Sequence, residues 1–211
     1  MSGKLPPMDF RHALWGSGPS LEGDALRILT GADAEFSGRQ VHQLIAHSSE
    51  EGVRRALNRL VAQGIVQSRK AGQATLYRFN REHLAAPWIE GLMSLRAQLI
   101  DRLRSEINGW AIKPVAAAVF GSVARGEARP DSDLDIFLVR PSSVNEDAWE
   151  AQIAGLTDAA TRWTGNDTRP LELTEDDLPD RAADERVIQD ILDHGIEIGG
   201  SLRALRKRVS R

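Results

Sequence analysis

The sequence contains no cysteine and one tyrosine, and aromatic residues make up 5% of it. The missing thiol excludes disulfide staples, thiolate metal sites and a cysteine nucleophile, and it suits a reducing compartment. No aromatic platform for stacking RNA bases is visible. No uninterrupted apolar run approaches the ~18 residues needed to span a bilayer. The opening stretch, with Pro6, Pro7, Asp9 and Arg11, lacks the apolar core of a secretion signal. Neither sign of charge dominates, since 27 Lys and Arg face 30 Asp and Glu, so no global field points to a polyanionic or membrane partner. What is present is 211 residues, 41% of them apolar, enough for one or two domains with cores of their own. The expectation is a cytoplasmic protein without a membrane partner.

Charge divides unevenly along the chain. Met1 to Asn80 carries 10 basic and 7 acidic residues, a balance of +3, whereas Arg81 to Arg211 carries 17 and 23, a balance of −6. Residues 1–20, rich in glycine and proline, read as an irregular arm with a short strand around Phe10 to Trp15. Leu26, Ile28 and Leu29 mark a short helix that stops near Gly31. Ser37 and Gln40 form a capping box opening a helix that buries Val41, Leu44 and Ile45. A second box at Ser48 to Glu51 precedes a helix with Val53, Leu57, Leu60 and Val61 on its core face, ended by Gly64 in a left-handed conformation. Its opposite face carries Arg54, Arg55, Asn58 and Arg59, which could meet phosphates and base edges in a major groove. Two strand-like runs follow, Ile65 to Arg69 and Thr75 to Phe79. The turn between them, Lys70 to Gln73, puts Arg69 and Lys70 near a basic tip that could rest on a sugar-phosphate backbone.

Three helices and a two-stranded wing over residues 21–80 resemble the winged helix-turn-helix domains of bacterial and archaeal transcription regulators. The resemblance implies double-stranded DNA as a partner. The alternative is a winged helix used for protein contacts, its arginines simply solvated. From Arg81 to about Ile107 the pattern Leu84, Trp88, Leu92, Leu95, Leu99, Leu103 predicts one long helix, whose stripe must be covered either as ordinary core between two domains or by a second subunit in a homodimer.

The second half carries the chemistry. Pro114 to Phe120 suits a buried strand and runs into Gly121-Ser122-Val123-Ala124-Arg125-Gly126, where a glycine lets backbone approach a ligand, a hydroxyl is at hand and turn amides can face an anion. Six residues on, Ser132-Asp133-Leu134-Asp135 opens the apolar run Ile136 to Val139. Strand alternation puts Asp133 and Asp135 on one face, with Leu134 in the core. Two like charges so placed are costly unless a divalent cation neutralises them, and hard oxygen ligands favour Mg²⁺ or Mn²⁺.

This combination resembles the signature of the DNA polymerase beta nucleotidyltransferase superfamily, in particular its minimal members, over about residues 112–175. The resemblance implies a mixed β-sheet flanked by helices and a nucleoside triphosphate held above it by two metals. It also implies that Asp133 and Asp135 are metal ligands, that Gly121 and Ser122 cradle phosphate, and that Arg125 and Ser132 are further triphosphate contacts. The family uses a third carboxylate on a neighbouring strand, usually aspartate. Here the alternating segment Thr168 to Thr174 offers Glu172, one methylene longer, with Leu171 and Leu173 facing the other way and Pro170 marking an edge strand. Asp167, Asp176 and Asp177 fall in turns. Arg181 to Arg211 predicts a helix with Val187, Ile188, Ile191 and Leu192, a short strand at Ile196 to Ile198, and a basic tail of Arg203, Arg206, Lys207, Arg208 and Arg211 that is either a nucleic-acid contact or solvated. The five histidines form no spaced ligand set.

The expected architecture is α+β: a winged helix domain with its arm over residues 1–80, a linking helix over 81–110 and a nucleotidyltransferase domain over 111–211. Three functions fit. One is a metal-dependent enzyme moving a nucleoside monophosphate from a nucleoside triphosphate to a hydroxyl acceptor, coupled to DNA binding. Another is a DNA-binding transcriptional regulator whose nucleotidyltransferase domain only binds or senses nucleotide. The third is an antitoxin-like module beside a small helical toxin.

Overall fold

The computed structural model describes residues 20–45, 48–129, 131–178, 180–181 and 185–209. The irregular arm with its expected strand, His12, His47 and Arg211 lie outside these. The chain is α+β and divides into two compact units, the described parts of Arg11–Leu95 and of the remainder from Arg96 onward.

In the first unit α1 (Leu21–Thr30), β1 (Phe36–Ser37), α2 (Gly38–Leu44) and α3 (Glu50–Ala62) precede the hairpin of β2 (Val66–Ala71) and β3 (Ala74–Phe79). The sheet order is β1-β3-β2, all antiparallel. Each helix begins where a serine can take an orphan amide. Ser20 accepts from the Gly23 amide at 3.1 Å and Ser49 from the Gly52 amide at 3.1 Å. The box at Ser37 is complete, with the Ser37 amide donating back to Gln40 Oε1 at 2.8 Å. The second box is not, because the cap is Ser49 and the third helical residue is Gly52, which has no side chain to reach back. Gly64 takes φ +75 just past α3, as expected of a helix stop. Ala25, Leu26, Leu29, Val41, Ile45, Val53, Leu57, Leu60 and Phe79 bury together, whereas Leu44, expected in the core, is 57% exposed. The hairpin is longer than the sequence suggested. Lys70 pairs with Thr75 and Ala71 with Ala74, leaving a two-residue turn in which Gly72 supplies φ +60.

The helix expected over 81–110 is two helices, α4 (Ala86–Met93) and α5 (Leu95–Gly109). Pro87 fits only a first turn, so α4 cannot start at Arg81. At Ser94 the backbone leaves helical geometry, and its hydroxyl donates to the Gly91 carbonyl at 3.0 Å. The apolar stripe is split as a result. Ile89 packs into the first unit's core and Leu99, Ile100, Leu103 and Ile107 into the second's, while Leu84 and Trp88 are exposed.

The second unit is a four-stranded mixed sheet, order β6-β5-β4-β7, of β4 (Ala116–Phe120), β5 (Leu134–Arg140), β6 (Thr168–Thr174) and β7 (Ile196–Gly200). β5 runs parallel to β6, and β4 is antiparallel to both β5 and β7. Helices α6 (Gly121–Arg125), α7 (Glu146–Thr164), α8 (Arg186–His194) and α9 (Leu202–Val209) complete it. From Ile136 to Val139, β5 is apolar on both faces because both are covered. Leu134, Ile136 and Leu138 meet Trp149, Leu156, Leu103 and Ile107 on one side, and Phe137 and Val139 meet Ile188, Ile191 and Leu205 on the other. Trp149 is fully buried, its ring edge-on to Trp110 at 5.5 Å. Each such large side chain contributes about 1.5–3 kcal/mol by leaving water. The basic tail is α9, which buries Leu202 and Leu205; Arg206 pairs with Asp193 at 3.0 Å and Arg208 with Glu175. No helix among the described residues is long and apolar enough to cross a membrane.

Candidate functional site

The all-apolar strand β4 delivers the chain to Gly121, whose φ of +69 turns it directly into α6. That turn has a close neighbour. A Cβ at position 121 would run into Asp135 Oδ2, so the missing side chain lets backbone and carboxylate approach each other. Phe120 is the register partner of Asp135, which fixes the acid at the mouth of the β4–β5 ladder. Asp133 lies two residues earlier, just before β5. Alternation sends both acids to the face of Phe137 and Val139, while Leu134 is wholly buried on the other.

The electrostatics agree with that placement. Burial first, then the negative charge of Asp133, push the Asp135 carboxyl above its ordinary range, and Arg169 and Arg125 pull it part of the way back. Arg169 comes from β6, directly across the parallel ladder from Asp135, and its Nη1 lies 2.9 Å from Asp133 Oδ2. Sequence reasoning passed over this arginine. The signal was its parity with Leu171 and Leu173, but which face that parity meant depends on register.

Glu172, the expected third carboxylate, is not brought to the pair. It is the register partner of Leu138, and alternation turns it to the opposite face of the sheet. There it accepts a hydrogen bond from Trp149 Nε1 at 2.7 Å, lies 3.3 Å from Arg140 Nε, and lines a polar cavity of about 320 Å³ with Glu146, Asp177 and Arg181. Among the described residues no three His, Cys, Asp or Glu side chains converge as a metal site. Ser122 is the second residue of α6. Arg125 faces Glu127 at 3.1 Å and Asp190 at 3.8 Å. Ser132 Oγ accepts from the Arg129 amide at 2.9 Å, which shapes the approach to Asp133.

Mg²⁺ commonly binds through one or two carboxylates plus substrate phosphate oxygens. Asp133 and Asp135, on one face beside the Gly121 turn, are hard oxygen donors that fit one such cation. Among the described residues the three-carboxylate set for two metals is not formed.

In the first unit the candidate DNA contacts are exposed but partnered. Arg54 makes a two-pronged pair with Glu51 at 2.9 and 2.8 Å, and Arg55 lies 3.7 Å from the same acid. Arg59 pairs with Glu22, Arg69 with Glu35, and Lys70 donates to Thr75 Oγ1 at 3.0 Å, while Asn58 is exposed on the same helix. Asp33 takes Arg78 at 2.6 Å and Arg81 at 3.1 Å. The hydrogen bond and charge of Arg78 hold Asp33 below the ordinary carboxylate range, and Arg69 does the same for Glu35.

A search of curated proteins found no match. Among solved structures, a toxin–antitoxin crystal structure with AMP-PNP is 18% identical, covers 53% of this chain and 81% of its own, and superposes with a TM-score of 0.38. A mutant of the MntA-HpeT toxin–antitoxin is 16% identical over the same shares, also with a TM-score of 0.38. TrmBL2, an archaeal chromatin protein described with a novel mode of DNA binding, is 14% identical, covers 83% of this chain and 72% of its own, and has a TM-score of 0.28. At the level of families, residues 97–198, the stretch that holds Gly121, Asp133, Asp135 and Arg169, match the nucleotidyltransferase domain.

Proposed function

We propose that the second unit binds a nucleoside triphosphate together with Mg²⁺ or Mn²⁺ and moves its nucleoside monophosphate to a hydroxyl acceptor, while residues 20–80 act as a winged helix on duplex DNA. The observation that carries the reading is the close approach of the Gly121 backbone to the Asp135 carboxylate, which a side chain at 121 would prevent, beside a second carboxylate on the same face. Asp133 and Asp135 hold the cation. Gly121 and Ser122 let backbone and hydroxyl come close to the phosphates, and Arg125 and Ser132 stand within the same segment. When bound, the cation supplies charge neutralisation at the phosphates and acidifies the acceptor hydroxyl. The acceptor oxygen bonds to the α-phosphorus as the bond to pyrophosphate breaks and the hydroxyl proton passes to solvent, and the protein's share is positioning and charge.

The test is incubation with labelled triphosphates and Mg²⁺ or Mn²⁺. Wild type is expected to label an acceptor or release pyrophosphate, and the double variant Asp133→Asn with Asp135→Asn to do neither. A second reading, nucleotide binding without transfer, is favoured by one observation: Glu172 engages Trp149 and Arg140 instead of the acid pair. Wild type that retains triphosphate with cation yet never turns it over would decide for that reading.

A further inference from the structure

The acid pair has a cation of its own. Asp133 and Asp135 share one face at the mouth of β5, and the parallel ladder sets Arg169 of β6 against Asp135. The guanidinium reaches Asp133 at 2.9 Å. It does so from an exposed position, with 68% of its side chain open to solvent, whereas Asp133 is 28% exposed. The fixed partner is therefore the acid, and the long arm that reaches it is held by little besides this contact. A pair whose cation is mostly open to solvent is weakly held, so it yields to a competitor that binds the acids more strongly. Within the described residues of that face, the charged groups acting on Asp135 are Asp133, Arg169 and Arg125, and Arg125 is engaged with Glu127 and Asp190.

Resting on the nucleotide-site reading above, we propose that Arg169 is a tethered counter-ion and nucleotide-positioning residue, which neutralises the aspartates in the free protein and turns to the polyphosphate when cation and nucleotide arrive together. Its planar fork suits that exchange, because a guanidinium engages carboxylate and phosphate oxygens in the same two-pronged way. The consequence is coupling. A divalent cation alone must displace the arginine with nothing to receive it, whereas a cation arriving with a triphosphate leaves the arginine a new anion. Each ligand therefore favours the other. No covalent step depends on this residue.

The experiment measures Mn²⁺ binding to the full chain with and without a non-hydrolysable ATP analogue, by calorimetry and by the electron-spin signal of free Mn²⁺. Wild type is expected to bind Mn²⁺ alone weakly and about tenfold or more tightly with the analogue present. Arg169→Gln is expected to bind Mn²⁺ alone about tenfold more tightly than wild type, to bind the analogue more weakly, and to lose most of the mutual enhancement. Arg169→Lys, which keeps the charge without the fork, is expected to hold Mn²⁺ alone at the wild-type level but to recover only part of the enhancement. Thermal melts check that all three chains fold.

Unchanged Mn²⁺ affinity in Arg169→Gln, or unchanged enhancement, would overturn the role of Arg169 while leaving the nucleotide site standing, provided that Asp133→Asn with Asp135→Asn abolishes binding. Wild type that takes up neither Mn²⁺ nor analogue would overturn both readings at once.

Discussion

Both units pair surface arginines with acids, and they differ in that, among the described residues, only the second sets two carboxylates side by side. In the first, basic side chains meet acids of the same unit: Arg54 meets Glu51, Arg59 meets Glu22, Arg69 meets Glu35, and Arg78 and Arg81 share Asp33. In the second, Asp135 crowds against the Gly121 turn, Asp133 on the same face pairs with Arg169, and Arg169 and Arg125 act on Asp135 through their charge. Paired surface charges add little to stability and can exchange partners at small cost. Two carboxylates, one of them pushed up by burial and by the other, are a standing cost that a bound cation would relieve. The difference teaches where a bound cation would relieve a cost and where charges already have partners.

The strongest way to break this contrast is at Gly121. Gly121→Ala forces a Cβ into a left-handed backbone position and against Asp135. We expect about 1–3 kcal/mol of lost stability in thermal or denaturant unfolding, and a fall in nucleotide affinity of about a hundredfold, roughly 2.7 kcal/mol, in calorimetry. Retained affinity would mean that the turn does not touch the ligand.

A smaller effect is expected in the first unit. Arg55→Ala with Arg59→Ala should weaken duplex DNA binding about tenfold at moderate salt and lower the slope of log affinity against log salt by about 2, as two lost phosphate contacts require. Fluorescence anisotropy across a salt series reads both. No change in either would favour protein contacts over DNA.

Glu172→Gln sharpens the comparison by leaving it intact. The amide oxygen can still accept from Trp149 Nε1, and the residue faces away from the acid pair. Nucleotide affinity and any transfer rate should change less than about threefold, whereas loss of even a residue that supports a metal ligand costs roughly 10–100-fold.

The smallest expected effect is in pH dependence. Asp33 and Glu35 have carboxyl groups held below their ordinary range by arginines. Their contribution to stability is present above the unfolded-state values and fades as pH falls through the lowered folded-state values. Denaturant melts of the first unit should therefore lose slightly more stability on acidification in wild type than in Asp33→Asn with Glu35→Gln. Equal slopes would show that both pairs are silent.

Much of this was legible in the residues themselves, because the relevant signals are local. The apolar runs before Gly121 and after Asp135 announced strands, the Ser37–Gln40 box announced α2, and alternation put Asp133 and Asp135 on one face. Glu172 lies away from the acid pair for a tertiary reason. Alternation sets it opposite Leu171 and Leu173, but which face meets the acids is decided by pairing with β5, and that register opposes Asp135 to Arg169. The break at Ser94 was hidden for a different reason, since apolar spacing continues smoothly from Trp88 through Leu103 across two helices that serve separate cores.

The sheet order places β6 at an outer margin, and Pro170 sits in that strand with no amide hydrogen to offer. A margin interrupted in this way is a poor template for an extra strand from another molecule. The same imino acid that follows Arg169 therefore guards against edge-to-edge aggregation along the strand that faces the acid pair.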